Sequence, residues 1–196
     1  GKWVLERAAC RAARAGHPTL VVRPFNVVGS GQSAAYGMVL PRFMASALGG
    51  RPLVVYGDGT QTRSFSDVVA FVDVLLRLVR TPAAWNAPRN VVNIGNPVPV
   101  SIHELAELVL DVTGSSSPVQ FVPFESVFPG KQDVLQRCPQ VELLESLVGP
   151  VDWPGMRDII VRLGDGMLAE PVSLIPSTRG VQPVMQRRLS VPDRSP

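Results

Sequence analysis

Cysteine is nearly absent from this sequence, and so are long apolar runs. The two cysteines, Cys10 and Cys138, lie far apart and match no metal-ligand spacing. No metal site is expected from them; a buried free thiol is expected at each, and with it a cytoplasmic setting. No window approaches the ~18 uninterrupted apolar residues that a membrane-spanning helix needs, so no membrane association is expected. The first residues show neither the charged nor the apolar region of a secretory signal; Gly1 leads straight into a helix-forming run, as in a chain that begins mid-protein. No internal repeat is visible. Also missing is the G-x-G-x-x-G fingerprint of a dinucleotide fold: Gly29-Ser30-Gly31 follows a strand-like run but lacks the third glycine and an immediate helix, and reads as a loop.

A net charge of +3 and a pI near 9.3 are features of nucleic-acid binders, but here the charge is not spread over a fold. Residues 171–196 carry Arg179, Arg187, Arg188 and Arg194 against Asp193, which is the whole of the net charge, and residues 1–170 are formally neutral. That Pro/Ser/Arg segment has no apolar period and is expected to be a disordered tail behind a folded region 1–170. With no basic face on the folded part, no nucleic-acid partner is expected.

What is present alternates. Residues 2–15 are rich in Ala and Leu and predict a helix stopped at Gly16; Thr19–Arg23 is a β-branched run of the kind buried on both faces of a sheet. After a Gly/Ser/Asn-rich loop, FNVVGSGQSAA, a helix is expected around 38–48. Strands follow at Leu53–Tyr56 and from about Thr62, with the Asp58-Gly59 turn between them. Val68, Phe71, Val72, Leu75, Leu76 and Val79 fall on one helical face, with Asp67 placed to cap it. Val91–Ile94 reads as a strand, Ser101–Glu104 as a capping box opening a helix that ends at Gly114, and Val119–Val122 as a strand. Further helices are expected near 139–147 and 154–163. The pattern is α/β, although only two strands look like those of a buried parallel sheet.

Five ordered segments carry a resemblance. VVRPFNVVGSGQ (21–32) is similar to the R-x-F-N-x-x-G-P-x-Q stretch of extended short-chain dehydrogenase/reductases acting on nucleotide sugars, the NAD-dependent epimerase/dehydratase family. YGMVLPRF (36–43), PLVVYGDGTQTRSF (52–65), NVVNIGNP (90–97) and SIHELAELV (101–109) follow in the family's order, and the likeness runs from Gly1 to about Gly149. It implies the last elements of a Rossmann-type sheet plus the smaller α/β substrate-binding domain, the C-terminal part of a UDP-glucose 4-epimerase-like enzyme. It also implies NAD as cofactor, a UDP-sugar as substrate and, for the intact enzyme, a homodimer formed through the helix bearing Lys2.

The same resemblance assigns residues. Lys2, followed by Glu6 four positions on, matches the lysine of the family's Tyr-x-x-x-Lys helix, whose tyrosine would lie before Gly1. There an ammonium one helical turn away lowers a phenol from its usual pKa near 10, so that the phenolate takes a proton from the sugar while hydride passes to NAD. Pro24 and Phe25 would lie beside the nicotinamide. Asn26 would donate its amide NH₂ to the diphosphate while its carbonyl took a backbone donor. Arg63 and Arg137 would clamp the diphosphate by bidentate bonding, and Val54 and Tyr56 would frame the uracil. The sequence departs from the family at Gln140 and Ala70, where relatives carry Asp, and at Ser30, where they carry Pro. His17 and His103 match no catalytic position and read as solvated. UDP-glucuronate decarboxylases and 4,6-dehydratases share these motifs, and a non-catalytic remnant fits them too; the chain by itself is expected not to turn over a UDP-sugar.

Overall fold

A computed structural model describes residues 1–32, 37–86, 88 and 90–169; Tyr36 and the whole of the 171–196 tail lie outside them. In chain order the elements are α1 (Lys2–Arg14), β1 (Val21–Pro24), β2 (Val27–Val28), α2 (Val39–Leu48), β3 (Leu53–Tyr56), β4 (Thr62–Ser64), β5 (Ser66–Asp67) and α3 (Val68–Val79). A 3-10 turn at Pro82–Trp85 leads to β6 (Val91–Ile94), β7 (Pro99–Ser101), α4 (Ile102–Thr113), β8 (Val119–Val122), α5 (Phe124–Val127), β9 (Gln136–Arg137), α6 (Glu142–Val148) and α7 (Met156–Ala169).

The architecture is mixed α/β, and parallel pairing is more extensive than the sequence pattern suggests. β1 runs parallel to β6, β2 to β5, β3 to β8 and β4 to β9, while β4 is antiparallel to β7. The alternating exposure of β3, with Leu53 and Val55 buried and Val54 and Tyr56 half-buried, puts the two expected uracil residues on the face away from the core.

Two apolar clusters hold these pieces. One packs β1 and β6 against α3 and α6 through Val74, Leu78, Val92, Ile94 and Leu144. The other packs β3 against α2, α4 and α7 through Leu40, Phe43, Leu53, Leu105, Ile160 and Leu163. Each fully buried aliphatic or aromatic side chain contributes about 1.5–3 kcal/mol, so these clusters outweigh any surface ion pair.

Helix ends follow local chemistry. Ser101 Oγ accepts from the Glu104 amide at 3.1 Å while Glu104 Oε2 accepts from the Ser101 amide at 2.9 Å, a complete capping box, and Gly114 closes α4 at φ 63°. Asp67 caps α3, its Oδ1 accepting from the Val69 and Ala70 amides at 3.0 Å each.

Four local expectations are corrected. Val27–Val28, inside the stretch read as a loop, is a strand; two residues are too short to show a period. β1 is only half-covered rather than buried on both faces, because among the described residues it pairs only with β6 and α1 buries no residue at all. On α3 the buried stripe is Val74 and Leu78 with Phe71 and Leu75 beside them, whereas Val68, Val72, Leu76 and Val79 are exposed. That helix is apolar nearly all round, so its sequence period does not fix which face turns inward. Both cysteines are free, as expected, but half-buried rather than buried. His17 and His103 are exposed as expected.

Candidate substrate site

The site is built where β1 ends. The segment Pro24-Phe25-Asn26 leaves the C-terminal end of a parallel strand, the edge at which α/β sheets place ligands. Its backbone is fixed on two sides. The Phe25 amide donates to the Ile94 carbonyl at 3.0 Å, the Ser66 amide donates to the Asn26 carbonyl at 3.1 Å, and the buried Ser66 hydroxyl donates to the Phe25 carbonyl at 2.9 Å. Ser66 Oγ in turn accepts from the Asn96 amide at 3.0 Å. Asn26 sits at φ 38°, a left-handed conformation that asparagine tolerates better than most residues.

Gly95 makes this turn possible. A Cβ there would lie 2.7 Å from Phe25 Cβ and 3.2 Å from both Pro139 Cγ and Ser66 Oγ, all rigidly placed atoms. Gly95→Ala is therefore expected to destabilise the chain by about 1–3 kcal/mol, through overpacking. Urea denaturation measures this, and an unchanged midpoint would show that the loop gives way freely.

Asn26 reaches across to β4: its Nδ2 donates to the Ser64 carbonyl at 2.7 Å. Its contact with the backbone thus runs through the NH₂ and not through the carbonyl. One N–H is spent on backbone, leaving Oδ1 and the second N–H for a ligand. Arg63 stands next to Ser64, and the parallel register of β4 and β9 sets Arg63 directly beside Arg137. Register partners on neighbouring strands project from the same face, so two guanidinium-bearing residues share one face although they are 74 positions apart in the chain. The fold therefore assembles Asn26, Arg63 and Arg137 around the centre of one small sheet.

The two arginines differ in environment. Arg137 is exposed, and no partner is found for it among the described residues. The Arg63 side chain is 16% exposed and extensively bonded. Its Nη1 donates to the Thr62 carbonyl at 2.7 Å and to the Val134 carbonyl at 2.6 Å, and its Nη2 pairs with Asp133 Oδ1 at 3.1 Å. The sequence offered no signal for Asp133, which lies 70 residues away.

Tyr56 and Val54 are held by a second residue that sequence reasoning missed. Arg42 of α2 places its guanidinium 4.3 Å from the Tyr56 ring centroid and donates from Nη2 to the Val54 carbonyl at 2.9 Å. The Tyr56 ring meets Phe128 edge-on at 5.6 Å, and Gln61 Nε2 donates to the Tyr56 carbonyl at 2.6 Å.

Lys2 stands apart from this group, exposed on α1. What links its helix to the site is Glu6, one turn on. Glu6 takes two bonds from Arg23 of β1, the Arg23 Nε to Oε2 bond at 2.8 Å and an Nη2 to Oε1 bond, and Arg23 immediately precedes Pro24. The bond from Arg23 holds the Glu6 carboxyl below its ordinary value, and Glu6 raises Arg23 in return. Because the folded value is the lower one, the tie is complete above the ordinary glutamate value and is lost as the pH falls through the depressed value. An NMR titration of Glu6 is expected to give a depressed midpoint that returns to the ordinary value in Arg23→Ala; equal midpoints in the two proteins would show that the pair does not form in solution.

Among the described residues no group of three His, Cys, Asp or Glu could hold a metal ion, and no helix is long and apolar enough to cross a membrane. The profile of the NAD dependent epimerase/dehydratase family matches residues 2–95. The chain belongs to that family.

Its relatives within and around the family act on nucleotide sugars by name. The chain is 38% identical to UDP-N-acetyl-alpha-D-glucosaminuronate decarboxylase of Bacillus cytotoxicus over 73% of its own length and 44% of the relative's. It is 34% identical to UDP-glucuronic acid decarboxylase 1 of Danio rerio over 66% of its length and 28% of the relative's. The fold matches that of UDP-glucuronic acid 4-epimerase from Bacillus cereus, solved with UDP-glucuronic acid and NAD, at a TM-score of 0.70 and 22% identity, covering 82% of this chain and 49% of that one. The chain thus spans less than half the length of these relatives. Such structural neighbours have the Rossmann-type fold, in agreement with the α/β, parallel-strand arrangement here.

Proposed function

We propose that this chain binds the diphosphate of a UDP-sugar between Asn26, Arg63 and Arg137 and forms the substrate side of an NAD-dependent enzyme that modifies the sugar. The observation that carries this reading is the β4–β9 register, which brings two arginines together beside an asparagine anchored on the same strand. A diphosphate needs charge and directional donors, and these three side chains offer both. Val54 and Tyr56, with Arg42 stacked on the ring, supply a flat polar and aromatic surface suited to the uracil.

For the cofactor the chain's own residues offer one edge. Lys2, Pro24 and Phe25 are the candidates beside the nicotinamide, and no glycine-rich strand-to-helix turn is found among the described residues to cradle the pyrophosphate. NAD would supply the hydride acceptor for oxidation of the sugar C4 hydroxyl. Lys2 would act on proton transfer by holding positive charge near the group that takes the hydroxyl proton. Return of hydride to the other sugar face gives 4-epimerisation. The names of the curated relatives favour a second outcome: in a uronate, a C4 ketone is β to the carboxylate carbon, so carbon dioxide can leave instead.

Calorimetry with UDP and with uridine tests the binding reading: UDP is expected to bind more tightly than uridine, and equal or undetectable binding of both sinks it. Incubation with NAD and UDP-glucuronate separates the outcomes, since a C4 epimer supports epimerisation and a UDP-pentose supports decarboxylation. Unchanged sugar with intact UDP binding assigns the chain a binding role only. We also propose that α1, with Trp3 66% and Leu5 72% exposed, pairs with a second copy of the chain; sedimentation equilibrium giving a monomer would remove that idea. Two free thiols fit a cytoplasmic setting.

A further inference from the structure

The binding reading leaves one contact unexplained. Arg63, the half-enclosed member of the diphosphate clamp, already carries an anion. Both hydrogens on Nη1 are taken by the Thr62 and Val134 carbonyls, so the edge between Nη1 and Nη2 is closed to a bidentate ligand. The remaining bidentate edge lies between Nε and Nη2, and Nη2 holds Asp133 Oδ1 at 3.1 Å with the Asp133 side chain only 23% exposed. Arg137 lies beside Arg63 by register and has no such counter-charge among the described residues. The three residues thus carry two positive charges and one negative at the point where a diphosphate would bring two or more negative charges.

We propose that Asp133 is a specificity-determining residue of this phosphate subsite: it is the resident anion on Arg63 Nη2, and a ligand must displace it or bind against its charge. Simple anions lack the binding energy to do so, whereas a nucleotide draws it from its base and sugar. This rests on the binding reading above and adds to it the selection of nucleoside diphosphate over free phosphate and pyrophosphate.

The experiment is calorimetry on the full chain with UDP, uridine and inorganic pyrophosphate, comparing the wild type with Asp133→Asn and Asp133→Ser. Asn keeps the shape and removes the charge; Ser guards against an effect peculiar to Asn, and circular dichroism verifies that both fold. Expected in both variants is a roughly five- to tenfold tighter Kd for UDP, the size of one partly exposed charged contact. Pyrophosphate binding is expected to rise by at least as much, while uridine stays unchanged. Equal UDP affinity in all three proteins, or weaker binding in the variants, overturns the inference and makes Asp133 an orienting partner of Arg63. If neither wild type nor variants bind UDP, the binding reading itself fails and the inference with it.

Discussion

Replacing Arg63 by alanine is expected to weaken UDP binding by about 10- to 100-fold while leaving uridine binding close to its starting value. The range corresponds to one hydrogen-bonded charge in a partly desolvated setting, about 1.5–3 kcal/mol. Two losses combine. The guanidinium that would meet the diphosphate disappears, and so do the bonds to Val134 and Asp133 that set the approach to β9, and with it the placement of Arg137. Arg63→Lys separates them: a single ammonium keeps the charge but not the fork, so it should recover only part of the affinity. Equal UDP affinity in wild type and Arg63→Ala would remove Arg63 from the site.

Asp67→Ala is expected to be the costliest single change to stability among those considered, about 2–3 kcal/mol, a fall of roughly 5–10 °C in Tm. The carboxylate is 3% exposed and makes contacts with both its oxygens. Oδ1 caps the first turn of α3 through two amides, and Oδ2 pairs with Arg162 Nη1 of α7 at 3.2 Å. Alanine leaves two amides uncapped in a place water reaches poorly and removes the strap between α3 and α7. Asp67→Asn retains a capping oxygen and loses mainly the ion pair, whose arginine is half exposed, so about 1 kcal/mol is expected. Thermal denaturation of the two variants reads the difference; similar losses in both would assign the effect to the ion pair and not to the cap.

These two residues also mark the boundary of what the sequence discloses. Asp67 as a cap, the Ser101–Glu104 box and the Gly114 stop depend on atoms within four residues of one another, so a local pattern identifies them. The half-buried face of β3, with Val54 and Tyr56, follows the simple alternation of a strand. The contacts that assemble the site do not. β9 is two exposed residues with no apolar period, and its pairing with β4 is set by the chain that packs around it. The Arg63–Asp133 and Arg23–Glu6 ties join residues 70 and 17 positions apart, where charge alone cannot select a partner. Arg63 and Arg137 were assignable by family likeness, but that they stand side by side needed the fold. The Asn26 amide meets the backbone through its NH₂ and not its carbonyl, because the Ser64 carbonyl, invisible to a motif, accepts one of its N–H bonds.

The central strand of the three-stranded sheet has a consequence for biosynthesis. Sheet order β7-β4-β9 means that Arg63 emerges early and waits for partners made much later. While the ribosome is still adding residues beyond β8, the nascent chain has its first apolar cluster elements but no anion pocket, so a nucleotide can give no assistance to those early steps. A ligand held by both arginines would act only once β9 lies alongside β4, adding stability as RT ln(1 + [L]/Kd). Binding at that pair would therefore report that β9 has been laid down, while α6 and α7 still had to complete the two apolar clusters.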